Sequence, residues 1–120
     1  MAKVGRFVID PKAGAYCQIT LDSGEKILVS HDKGGFKGGT ITINVVKWLG
    51  LASGETLFTV NLDSPQGKAV LAHLTKGVPE GSAHATPLGA FVDYAKDCKS
   101  SAEVKTRCAA LPSASSPSST

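Results

Sequence analysis

The chain has 120 residues, 42% of them hydrophobic and 19% charged, with a formal net charge of +3. That size suits one domain able to bury a core without metals or disulfides, and the balance excludes a disordered or membrane-embedded chain. Residues 1–50 hold seven Lys/Arg against four acids and residues 51–120 hold equal numbers, so the whole excess lies on the first half, below the footprint of a dedicated nucleic-acid binder.

The opening run MAKVGRFVID carries only Phe7, Val8 and Ile9 as consecutive apolar residues, too few for a signal-peptide core. No stretch approaches the roughly 18 apolar residues of a membrane span. The expected location is the cytoplasm, with Cys17, Cys98 and Cys108 reduced.

The first element is a weak strand over Gly5 to Ile9, stopped at Pro11, which lacks a ladder donor. Tyr16 to Leu21 alternates, with Cys17, Ile19 and Leu21 on one side. Asp22-Ser23-Gly24 is a hairpin turn leading to a strand at Glu25 to Val29. Thr40 to Val45 is the clearest strand, rich in β-branched residues. Thr56 to Leu62 alternates again, which predicts Phe58, Val60 and Leu62 inward and Leu57, Thr59 and Asn61 outward.

Helix-start signals follow. Ser64-Pro65 pairs an N-cap with proline at the first helical position, and Lys76-Gly77 ends that segment. Thr86-Pro87 repeats the start, with Leu88, Phe91, Val92, Ala95 and Cys98 on one stripe. Ser100 and Glu103 match a capping box before Val104, Cys108 and Leu111. Residues 112–120 are Ser-rich and uncharged, the composition of a disordered tail.

The expected fold is α+β. A curled or barrel-like antiparallel sheet of about five strands, of OB or SH3-like size, spans residues 3–62. Two or three short helices follow over 64–111, and residues 1–111 form a single globular domain. Such a sheet must either close on itself or be roofed by the helices.

The loop 31–39, with four glycines around Lys33, Phe36 and Lys37, has two readings. It is a turn between strands, or it cradles a phosphate beside an aromatic for stacking. Lys47-Trp48 is the second candidate, as core packing or as a contact surface. His31, His73 and His84 share no ligand spacing, so no metal is expected, and no cofactor motif is present. Cys98 and Cys108 would meet in a helical hairpin: a disulfide under oxidising conditions, otherwise buried thiols, the favoured state.

No nucleophile–base pattern is visible, which weighs against an enzyme. The expected function is non-enzymatic binding of a protein partner or of the chain's own copies, with no membrane. The alternative is single-stranded nucleic acid, with Arg6, Lys26, Lys33, Lys37 and Lys47 on phosphates and Phe36, Trp48 or Tyr16 stacking.

Overall fold

The computed structural model describes residues 2–10, 14–32, 38–47 and 52–111. The tail 112–120 lies outside the described residues. Among the described residues six strands form one antiparallel sheet: β1 (Lys3–Val4), β2 (Val8–Asp10), β3 (Gly14–Thr20), β4 (Lys26–His31), β5 (Thr40–Lys47) and β6 (Ala52–Asn61). Strands β3 to β6 run as a meander, while β1 and β2 both pair with β3 at one edge. Three helices follow: α1 (Pro65–Leu74), α2 (Pro87–Ala95) and α3 (Ser101–Ala109). A 3-10 turn at Ala83–Ala85 precedes α2.

The α+β reading therefore holds, and the sheet is open. β6 lies at one edge and β1–β2 at the other, with no pairing between them. The barrel alternative gives way to the roofed sheet because the helices cover the apolar face. Helix α2 packs on β3 and β4, while α1 and α3 pack on β6.

Alternation places the core on that face. Ala15, Cys17 and Ile19 of β3, Ile27, Val29 and His31 of β4, and Ile41 and Ile43 of β5 are all buried. From above they meet Val70, Leu88, Phe91, Val92, Val104 and Cys108. Phe91 stacks on Phe58 with ring centroids 5.9 Å apart. Each helix starts where its cap residue supplies an acceptor to an otherwise unpaired amide. Ser64 Oγ accepts from Gly67 N, Thr86 Oγ1 from Gly89 N and Ser100 Oγ from Glu103 N. The Glu103 carboxylate returns to Lys99 N at 2.9 Å, one residue ahead of the expected capping-box partner.

The β3–β4 turn closes as read from the sequence. Gly24 N donates to Leu21 O and Leu21 N to Glu25 O, with Gly24 at φ +91°. That is a three-residue hairpin loop whose last position needs the left-handed conformation.

Two expectations about strands change. The first strand is two pieces, because Gly5, Arg6 and Phe7 stand opposite only Cys17 and Gln18. The register runs Val4↔Ile19 before the break and Val8↔Tyr16 after it. One extra residue there is a β-bulge. Leu57, expected outward, is buried. The β5–β6 register pairs Ile43 with Phe58 and Asn44 with Thr56, so Leu57 is the extra residue of a second bulge. The bulge breaks the two-residue alternation and turns Leu57 to the core.

Candidate binding surface

The sheet is wider than its helical roof. The β1–β2 margin continues the apolar face of β3 outward, and there it meets solvent. Val4 pairs with the buried Ile19 and Ile9 with the buried Ala15, so both belong to the core face. Val4 is nevertheless 41% exposed and Ile9 61%. Val8, opposite Tyr16, belongs to the helix-free face. Val8 is 36% exposed, Phe7 40% and Tyr16 44%, and these five are the exposed large hydrophobics among the described residues. Their clustering on one sheet margin makes that margin the candidate surface, since scattered exposed apolar residues are ordinary and a cluster is not.

The main chain of this margin is also open. Gly5 N donates to Gln18 O, and Leu21 N donates away from β1 to Glu25 O. In an antiparallel ladder the direction alternates residue by residue. The even-numbered residues of β3 therefore bond toward β1 and β2, and the odd-numbered ones toward β4. Val4 opposes Ile19 and Ile9 opposes Ala15. Val4 and Ile9 thus turn their own N–H and C=O groups to the free edge.

Known proteins offer no guide: no family model, curated protein or solved structure matches the chain.

The residues singled out in the sequence are distributed differently. Lys33, Phe36, Lys37 and Trp48 lie outside the described residues. Lys47 is exposed at the end of β5, its stem lying over Gly54. Asp32 and Gly38, which flank 33–37, lie at the other end of the β4–β5 hairpin. The length of β5, seven rises of roughly 3.3 Å, separates the two ends by about 23 Å. A small anion would not touch both ends.

His31 is a core residue. It is fully buried in line with Ala15 and Ile41, and its Nε2 lies 2.8 Å from Gly38 O. Since a carbonyl only accepts, Nε2 is the protonated nitrogen. Nδ1 has no partner among the described residues. The neighbouring Asp32 points to the opposite face, where its carboxylate accepts from Thr40 N at 2.8 Å. This pair is a turn lock at the base of the loop, with no dyad geometry.

His84 and Asp93, which no spacing rule connects, form a close Nδ1–Oδ2 pair, and Lys96 Nζ reaches the other carboxylate oxygen at 3.3 Å. The pair ties the 3-10 turn to α2. His84 is exposed, and among the described residues no group of three His, Cys, Asp or Glu could hold a metal.

Cys98 and Cys108 are buried free thiols on the core side of α2–α3. Burial, with the Cys98 sulfur as a secondary cause, pushes the Cys108 thiol up to about 12. Burial also raises Cys98, partly offset by the Arg107 guanidinium 3.9 Å from its sulfur. Arg107 lies over the Tyr94 ring at 4.4 Å, while Tyr94 Oη donates to Arg107 O at 2.7 Å. These contacts join α2 to α3.

Sequence reasoning passed over the β1–β2 margin. Its signal was the unbroken run Phe7-Val8-Ile9, since consecutive strand residues cannot all face one core.

Proposed function

We propose that this chain is a non-enzymatic protein-interaction module whose partner adds a strand along the β1–β2 margin. One observation carries the reading: the exposed large hydrophobics gather where the helical roof ends, beside main-chain groups aimed outward. An extended segment laid there satisfies the Val4 and Ile9 main-chain groups by strand addition and covers their side chains. Covering the parts of Val4 and Ile9 still in water is worth about 0.5–2 kcal/mol each.

The test places a photo-crosslinking residue at position 9, with position 102 on the exposed side of α3 as control, in cells expressing the full chain. Adducts at 9 and none at 102 are the expected result, with the captured polypeptide identified by mass. Absence of any adduct at 9 refutes the reading.

A second reading, single-stranded nucleic acid on the helix-free face, draws on Tyr16. It stands 44% exposed there, in a face that also carries Gln18, Ser30, Thr42 and Thr59, with Lys26 exposed at the strand end. An exposed aromatic amid hydroxyls and amides is the composition of a base-stacking platform.

A further inference from the structure

We propose that the strand added to the β1–β2 margin is the same margin of a second copy, giving a two-fold dimer with one continuous sheet. This inference rests on the strand-addition reading and names its occupant.

The first support is symmetry. Uninterrupted alternation would put Val4 and Ile9, five positions apart, on opposite faces. The bulge at Gly5, Arg6 and Phe7 shifts the phase by one residue and puts both on the core face. Residues 4–9 then read the same from either end. Positions 4 and 9 face toward the helices, and 5 and 8 face away from them. A two-fold pairing requires such a palindrome, because each position must meet its mirror position on the same face.

The second support is main-chain phase. An antiparallel pair centred between Arg6 and Phe7 places Val4 opposite Ile9 of the second copy, and Ile9 opposite its Val4. These are the two positions whose N–H and C=O groups point out of the sheet, as derived above from the bonds of Gly5 and Leu21. Each pair exchanges both N–H···O bonds.

The third support is charge. The same register sets Lys3 opposite Asp10 of the second copy, twice by symmetry, and Arg6 opposite its Phe7. Opposite charges directly across a ladder stabilise the pair, and a guanidinium over an aromatic ring adds attraction. A one-residue slip in either direction loses the Lys3–Asp10 match and the Val4–Ile9 main-chain match together. Closure also answers the hazard of an apolar edge: once two copies pair, that edge is used up and no filament grows from it.

The experiment is sedimentation velocity on the full chain across a hundredfold concentration range, with circular dichroism to verify that each variant stays folded. All substituted positions lie on the open margin. Wild type is expected to shift from monomer to dimer with concentration. Ile9→Lys is expected to remain monomeric. Lys3→Glu sets like charges opposite at both ends and is expected to weaken the dimer about tenfold. The double variant Lys3→Glu/Asp10→Lys is expected to recover it to within about twofold, a rescue that only this register predicts.

A wild type that stays monomeric throughout overturns the dimer; if position 9 still captures a different polypeptide, the strand-addition reading survives alone. A dimer indifferent to Ile9→Lys overturns the dimer proposed here by placing its contact elsewhere. A dimer lost with Ile9→Lys but not rescued by the double variant overturns the register while leaving the margin as the contact.

Discussion

Glu25 holds the first residue of α3 with both carboxylate oxygens: Ser101 N donates to Oε1 at 2.9 Å and Ser101 Oγ to Oε2 at 2.5 Å. The two residues are 76 positions apart in sequence, so this grip joins the β3–β4 hairpin to the last helix. A second tie runs beside it, from Ser23 N to Lys99 O at 2.9 Å.

The Ser101 bonds, side chain first and backbone second, hold the Glu25 carboxyl below the usual carboxylate range. A depressed folded-state value means that the stabilisation is complete above the ordinary glutamate value and is lost as pH falls through the folded one. Because Glu25 is solvent-facing, screening limits the effect, and Glu25→Gln is expected to cost about 0.5–1 kcal/mol at pH 7. Urea midpoints of the two proteins should converge as pH is lowered toward 3. A gap that persists unchanged at acid pH would show that the charge contributes nothing.

Gly67 lies in the first turn of α1, directly on the backbone of the β6 exit. A Cβ there would clash with Asn61 O and stand 2.7 Å from Leu62 Cα. Alanine normally favours a helix, yet Gly67→Ala is expected to destabilise by about 1–3 kcal/mol, because a rigid backbone cannot yield. Denaturant titration measures this. A stabilised variant would mean that α1 shifts freely against the sheet.

All three thiols are buried, and burial raises each of them. The folded protein at pH 8 is therefore expected to resist iodoacetamide, with mass spectrometry finding all three sites alkylated only in denaturant. Rapid native labelling of Cys108 would contradict its place in the core.

Phe91 is fully buried and stacks on Phe58 of β6, one of the contacts between α2 and the sheet. Phe91→Ala is expected to cost about 3–5 kcal/mol, measured by thermal or urea unfolding, since truncation leaves a cavity as well as losing burial. A cost below about 1 kcal/mol would mean that α2 repacks without it.

Should the helix-free face bind single-stranded nucleic acid, fluorescence anisotropy with a short labelled oligonucleotide should show affinity falling steeply as salt rises. Tyr16→Ala should remove about 1–3 kcal/mol of stacking. No binding at low salt removes that reading.

Much of this fold was legible residue by residue. Ser64, Thr86 and Ser100 cap their helices because a short polar side chain satisfying a helix-start amide is a local event. The alternation of Cys17, Ile19 and Leu21, and of Ile41 and Ile43, marked the buried face because a strand repeats every two residues whatever its neighbours do. The turn at Gly24 needed only its own four residues.

The tertiary structure alone decided the rest. A bulge exists only relative to a partner strand, so neither the inward turn of Leu57 nor the split of the first strand was visible in one strand's sequence. His84 meets Asp93 only because the 3-10 turn packs beside α2. The candidate surface is the same kind of fact. Val4 and Ile9 share the core face only through the bulge between them, and only the width of the sheet against the reach of three short helices left them in water.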